Sequence, residues 1–264
     1  MYDFTYQAPR TLAEALAAIL SAEDGKLLAG GMTLIPTLKQ RLAQPSDLVD
    51  LAKLAELKGI ARDGGSVTIG AMTTHAEVAA SPEISAAIPA LATLAGNIGD
   101  AQVRHRGTIG GSISNNDPAA DYPSALVALG ATVKTNSREL AAEEFFTGMF
   151  ETALEPGEIV TAVRFPIPEK AAYAKFPNPA SRYAVVGVFV AKTADGARVA
   201  VTGAGPAVFR LPEFERALDT NFSPDSVARL KVEAGDLNAD IHASAEYRAH
   251  LVTVMAKRAV TSMT

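Results

Sequence analysis

Two short stretches of similar design constrain this chain most: Leu27-Leu28-Ala29-Gly30-Gly31-Met32-Thr33-Leu34, and Gly107-Thr108-Ile109-Gly110-Gly111-Ser112 followed by Asp117 and Asp121. Each loop follows or interrupts a strand-like run, and each sets a hydroxyl beside paired glycines. Without a Cβ, such a pair lets backbone N–H groups come close to an anion, and a helix starting just afterwards turns its positive end toward it. Two loops of this kind can clasp a pyrophosphate from both sides. Plain turns remain the alternative, since paired glycines alone are weak evidence. Neither loop continues as G-x-G-x-x-G after a first strand, and no Lys follows Gly111. A Rossmann fingerprint and a P-loop are therefore both missing.

The pattern around the loops places them. Thr11 followed by Glu14 is a capping-box spacing, and Leu12, Ala15, Leu16, Ile19 and Leu20 recur at helical intervals, so a helix over about 11–22 is predicted. A strand at GKLLAGG, a short helix in TLIPTLKQRL and a strand at SDLVDL complete a small βαβ-type unit within residues 1–55. From 56 the texture changes to a hairpin around Asp63–Gly65, with Thr74 and Glu77 repeating the capping box, two helical pieces in PEISAAIPALATLAGNIGD, and strands at LGATVKT and up to Pro166. FPIPEKAAYAKFPNPASRY reads as a Pro-rich connector and sets a boundary near 168. Beyond it, two strands joined at Asp195-Gly196 and three helical segments, LPEFERALDT, SPDSVARLKVEAGDL and SAEYRAHLVTVMAKRAVTSM, suit a three-stranded antiparallel sheet backed by helices.

Composition excludes several chemistries. There is no Cys among the 264 residues, so the chain can hold neither disulfides nor a cysteine-ligated zinc or iron–sulfur cluster. Of the four histidines, only His242 and His250 are near one another, eight residues apart, and that is no standard ligand spacing; no metal is expected. A formal net charge of −5 with scattered Lys and Arg argues against nucleic acid or anionic membrane as the main partner. No apolar run approaches the length of a membrane span, and the N-terminal stretch lacks a basic region ahead of an apolar one. A soluble, cytoplasmic protein is expected.

Five motifs then carry a resemblance: AGGMTLIP, IGAMTTHAEV, IGDAQVRHRGTIGGSISNNDPAADYPSALVALGA, YAKF and DIHASAEYRAHLVTVMAKRAV. In this order, over nearly the whole chain, they resemble the FAD-binding medium subunit of the molybdenum hydroxylases, the family of the carbon monoxide dehydrogenase flavoprotein and the xanthine dehydrogenase FAD domain. The resemblance implies an α+β fold. A PCMH-type FAD-binding module over 1–168, with subdomains of about 1–55 and 56–168, would precede a C-terminal domain over 169–264 containing the three-stranded antiparallel sheet. It also implies that Ala29, Gly30, Gly31, Met32, Thr33 and Leu34, with Thr108, Ile109, Gly110, Gly111 and Ser112, wrap the pyrophosphate of FAD. Asp117 belongs to the same set, and Asp121 would meet ribityl or ribose hydroxyls; a helix N-cap is the competing role for Asp121. Ile98 and Val160 would line the adenine or flavin end, Lys175 would lie near the cofactor, and Tyr183 near the flavin ring.

Two departures stand out. Where many relatives read AGGTDL this chain has Met32-Thr33-Leu34, so backbone contacts must replace a carboxylate. R-N-x-G-T becomes Arg104-His105-Arg106-Gly107-Thr108, and His105 is not expected to attach flavin covalently. The resemblance implies electron transfer rather than substrate chemistry. FAD on this chain would take electrons from the [2Fe-2S] clusters of a small partner subunit, while a large molybdenum-cofactor subunit hydroxylates the organic substrate. The whole would be a dimer of heterotrimers, a heterohexamer, passing electrons to NAD, quinone or oxygen. A self-contained flavin oxidase of the vanillyl-alcohol-oxidase-like type and a cofactor-free scaffold are the alternatives. No catalytic residue is expected in this chain.

Overall fold

The computed structural model describes residues 1–263. Its first unit is β1 (Thr5–Gln7), α1 (Leu12–Ser21), β2 (Gly25–Leu28), α2 (Leu34–Lys39) and β3 (Asp47–Asp50), with the strands parallel in the order β1-β3-β2. Thr11 caps α1 as the spacing predicts, accepting from Glu14 N at 3.2 Å. The Glu14 carboxylate reaches back one residue further than a capping box requires, to Arg10 N at 2.7 Å. Ala15, Val49, Leu51, Leu54 and Leu57 bury together with Met72 and Ile159 of the next unit, so the two share a core.

The second unit begins with the hairpin β4 (Ile60–Asp63) and β5 (Ser66–Gly70). Six short helices follow: α3 (His75–Ala80), α4 (Pro82–Ala87), α5 (Pro89–Gly96), α6 (Ala101–Arg104), α7 (Ile109–Asn115) and α8 (Tyr122–Leu129). Here Thr74 and Glu77 make a complete capping box. Then come β6 (Thr132–Thr135), β7 (Glu139–Ala141), α9 (Ala142–Phe145), the two-stranded ribbon β8 (Phe146–Gly148) and β9 (Glu151–Thr152), and β10 (Val160–Pro166). Strands β4-β5-β10-β6-β7 form an antiparallel sheet in that order. α8 is buried along its entire length, which is why it carries no polar face.

The third part is a sheet of β11 (Lys170–Pro177), β12 (Ala184–Thr193), β13 (Gly196–Thr202) and β14 (Phe209–Arg210), antiparallel in that order. The sequence predicts three strands; the fourth is only two residues long, too short to show an alternation. The Pro-rich stretch read as a connector contains an eight-residue strand, β11, with Pro166 and Pro168 before it and Pro177 and Pro179 at its far end. Proline is tolerated at strand termini, so its density there marks the ends rather than a linker. Helices α10 (Pro212–Thr220), α11 (Pro224–Val227) and α12 (Ala245–Thr261) complete the chain. Most of SPDSVARLKVEAGDL, expected as one helix, is irregular beyond Val227. Its apolar residues Val227, Leu230, Val232 and Leu237 dock on the C-terminal core at spacings no helix face provides. No helix among the described residues is long and apolar enough to cross a membrane.

Candidate functional site

The two glycine loops meet backbone to backbone. A Cβ on Gly30 would sit 2.0 Å from the carbonyl oxygen of Arg106, and one on Gly110 would sit 2.7 Å from that of Ala71. Between the loops opens a cleft of about 520 Å³, a volume typical of small-molecule sites. Ala29 through Leu34, Ile98, Thr108, Gly110, Gly111, Ser112, Asp117, Asp121, Val160 and Tyr183 all line it. Two residues of the implied set do not. Ile109 is wholly buried in the core of the second unit, and Lys175 lines an adjoining hollow.

The loops differ in their free donors. In the second, Ile109 N donates to Thr73 O (3.1 Å), Gly110 N to Ala71 O (2.8 Å), Gly111 N to Thr108 Oγ1 (3.1 Å) and Ser112 N to Thr108 O (3.0 Å). Those amides are already satisfied by the turn into α7. The amides of Gly31, Met32, Thr33 and Leu34 donate to no group among the described residues. The first loop therefore carries the anion-binding capacity, with Gly31 at φ +74° shaping its turn. The second contributes a close wall: a Cβ on Gly111 would project to 3.0 Å from Thr108 Oγ1 and 3.3 Å from Ala29 Cβ.

Asp121 caps nothing, because no α8 amide donates to its side chain. Its carboxylate accepts from Tyr173 Oη at 2.5 Å and lies 2.9 Å from Lys175 Nζ, which also donates to Asn97 O at 3.1 Å. Burial pushes the carboxyl above its ordinary value, opposed by the Lys175 charge and by the hydrogen bonds from Tyr173 and Lys175. Lys175, which sequence alone would place in solvent, is almost completely buried by this pairing. Tyr183 of the C-terminal part lines the cleft together with Thr33 of the first loop. Burial, with the carboxylates of Asp117 and Asp121, raises its phenol.

Several lining residues were not legible as site residues. His75, the first residue of α3, lies under the second loop: its amide donates to Gly107 O at 3.0 Å, and a Cβ on Gly107 would lie 2.6 Å from His75 Nε2. Its ring packs 5.4 Å from that of Tyr122, and both His75 Nδ1 and Tyr122 Oη are buried without a partner. Burial first, then the Arg104 charge, lowers the His75 pKa to about 4. The available signal was the capping box at Thr74, which fixes where α3 begins. Glu158 also lines the cleft, yet its carboxylate is consumed by Arg138, Thr135, Ser137 and the amide of Glu155. Arg138 chiefly holds it down at about 2.

Residues 2–168 match the family described as the FAD binding domain in molybdopterin dehydrogenase, and 171–263 match the CO dehydrogenase flavoprotein C-terminal domain. The chain belongs to the FAD-binding medium subunits of the molybdenum hydroxylases. It is 35% identical over 270 residues to the nicotine 6-hydroxylase medium subunit of Paenarthrobacter nicotinovorans, spanning 97% of this chain and 95% of that one. Identity is also 35% over 276 residues to the carbon monoxide dehydrogenase medium chain of Afipia carboxidovorans, spanning 98% and 96%. The solved structure of reconstituted CO dehydrogenase from Oligotropha carboxidovorans superposes with a TM-score of 0.91 at 34% identity, over 98% of this chain and 96% of that one. As a medium subunit of this family, the chain is an FAD-binding oxidoreductase subunit. The cleft suits such a cofactor: four unpartnered amides in a row answer a diphosphate, and glycine at 111 keeps open the narrow gap between Thr108 Oγ1 and Ala29 that a Cβ would close.

Proposed function

We propose that this chain is the electron-transfer subunit of its complex, accepting electrons from the [2Fe-2S] clusters of a partner chain and delivering them to an external acceptor. Bound FAD exchanges electrons singly or in pairs and so can join a one-electron relay to a two-electron acceptor. The observation that carries the reading is a cleft built for a diphosphate-bearing cofactor in a chain with no cysteine to hold a relay of its own. In this reading the amides of Gly31 to Leu34 neutralise the diphosphate, while Gly30, Gly110 and Gly111 keep the walls close enough to exclude water. Ala29, Thr108, Ser112 and Asp117 complete that end of the cleft. Ile98 and Val160 supply apolar walls, and Asp121, held by Lys175, turns its carboxylate edge to the polyol. Tyr183 and Met32 stand partly exposed at the cleft surface, where a cofactor ring comes within reach of a docked partner. Residues 1–168 form the FAD module and 169–264 the C-terminal domain, assembled with a small iron–sulfur and a large molybdenum-cofactor subunit as a dimer of heterotrimers.

The test is anaerobic addition of the organic substrate to the purified complex. Flavin absorbance is expected to bleach in the intact complex and to persist when the iron–sulfur subunit is withheld. Bleaching by substrate in this chain alone would replace the relay with a self-contained oxidase.

A further inference from the structure

Three consecutive carbonyls in the turn between α5 and α6 are each taken by a cation. Lys175 Nζ donates to Asn97 O at 3.1 Å, and Arg104 Nη1 donates to Ile98 O at 3.0 Å and to Gly99 O at 2.9 Å. These residues border a second hollow of about 420 Å³, whose lining includes Tyr173, Lys175, Asn178, Arg104 and Arg182 and no carboxylate. Gly99 and Arg182 belong to the walls of both this hollow and the FAD cleft, so the two adjoin.

The hollow has donors to spare and few acceptors. Asp121 offsets the charge of Lys175, whose side chain is only 6% exposed. Arg104 and Arg182 have no carboxylate partner among the described residues. Asn178 turns its oxygen to the amides of Ala180 and Ser181, which leaves its NH2 group as a further donor. Two uncompensated guanidiniums, a buried ammonium and an amide donor around one recess answer the oxygens of a phosphate, which guanidinium binds in bidentate fashion. An apolar ligand would answer none of the free donors of Arg104, Arg182 and Asn178.

We propose that this hollow is a subsite for a phosphate-bearing anion, distinct from and adjacent to the FAD cleft. The same chemistry fits free phosphate or diphosphate and the nucleoside diphosphate portion of a soluble ligand.

The experiment uses the FAD-loaded complex and titrates it by calorimetry with inorganic diphosphate and, separately, with ADP-ribose. Saturable binding is expected at constant FAD content. Asn178→Asp, at a residue that lines this hollow and not the FAD cleft, keeps the oxygen that accepts from Ala180 and Ser181 but exchanges the NH2 donor for a carboxylate, and is expected to weaken binding roughly 10-fold or more without changing FAD content. Arg104→Lys, which lines the same hollow and loses the guanidinium fork, serves if Asn178→Asp does not fold. Tighter binding of ADP-ribose than of diphosphate assigns a nucleotide; equal binding assigns the free anion. No saturable binding of either probe, binding that expels FAD, or affinities untouched by both variants would overturn the subsite. Because the readout is binding at constant FAD, its failure is separable from any failure of the electron-relay reading.

Discussion

At the scale of single residues, the glycines of the two loops have different reasons to be there. Gly30 and Gly110 are fixed by contact, since a Cβ at either would strike backbone of the neighbouring segment. A branched residue at 110 therefore disturbs the fold itself, and loss of FAD in such a variant would report little about the cofactor. Gly111 is different: its Cβ would meet Thr108 Oγ1 at 3.0 Å and Ala29 at 3.3 Å, a crowding that a shift of a few tenths of an ångström relieves. Gly111→Ala is expected to keep the unfolding midpoint within a few degrees and to lower the FAD content of the purified chain by at least about 10-fold, since the methyl would wedge between Thr108 and Ala29 and reshape the cleft wall. Absorbance at the flavin band relative to protein checks it; full FAD content would place the cofactor away from this wall. The glycine pairs were legible because they are a local pattern. Asp121 was only half legible: its place in the cleft wall agrees with the sequence, while its partners Tyr173 and Lys175 lie 52 and 54 residues away, a pairing only the fold creates.

Elements were read best where a local signal fixed their ends. The capping residues Thr11 and Thr74 and the Asp195-Gly196 turn gave their helices and hairpin directly. The β8–β9 ribbon was invisible because a distant side chain holds it: Asn116, at φ 42°, donates from Nδ2 to Gly148 O and Glu151 O at 2.8 and 2.7 Å. The start of α3 has an energetic consequence. His75 is neutral in the fold, with a pKa near 4, against about 6.5 in an unfolded chain. The unfolded chain thus takes up a proton first as pH falls, so the stability this group confers is whole above about pH 6.5 and lost progressively down to about pH 4. A shift of this size corresponds to about 3 kcal/mol, to order of magnitude. Urea denaturation at pH 7 and pH 4.5 is expected to show a steeper loss in the wild type than in His75→Gln, which does not titrate. Equal slopes would mean that water reaches the imidazole and leaves it near its ordinary pKa.

The whole molecule depends on the third sheet being fastened to the second unit. Phe189, Ala191 and Ala200 of β12 and β13 belong to the same buried cluster as α8, and Arg198 donates to the carbonyls of Val127 and Ala128 at its C-terminal end. Thr202 Oγ1 reaches Ala120 O at 2.5 Å, and Gly203 N reaches Pro118 O at 2.8 Å. The Lys175–Asp121 pair lies on the same seam, between β11 and the residue preceding α8, and it is buried on both sides, with side-chain exposures of 6% and 4%. Removing one partner of a buried pair leaves a charge that neither water nor protein answers, at a cost of about 3–5 kcal/mol. Lys175→Met is expected to lower the unfolding free energy by that order. Tyr173 alone would then face a carboxyl that takes up a proton at higher pH than before. Lys175→Met combined with Asp121→Asn removes the stranded charge as well, and is expected to recover at least half of the loss while FAD affinity stays reduced, since the carboxylate edge is gone. Denaturant titration of the two variants beside the wild type separates the contributions. A single variant within about 1 kcal/mol of wild type would show that the pair is screened like a surface bridge, and that packing along α8, not this charge, fastens the sheet.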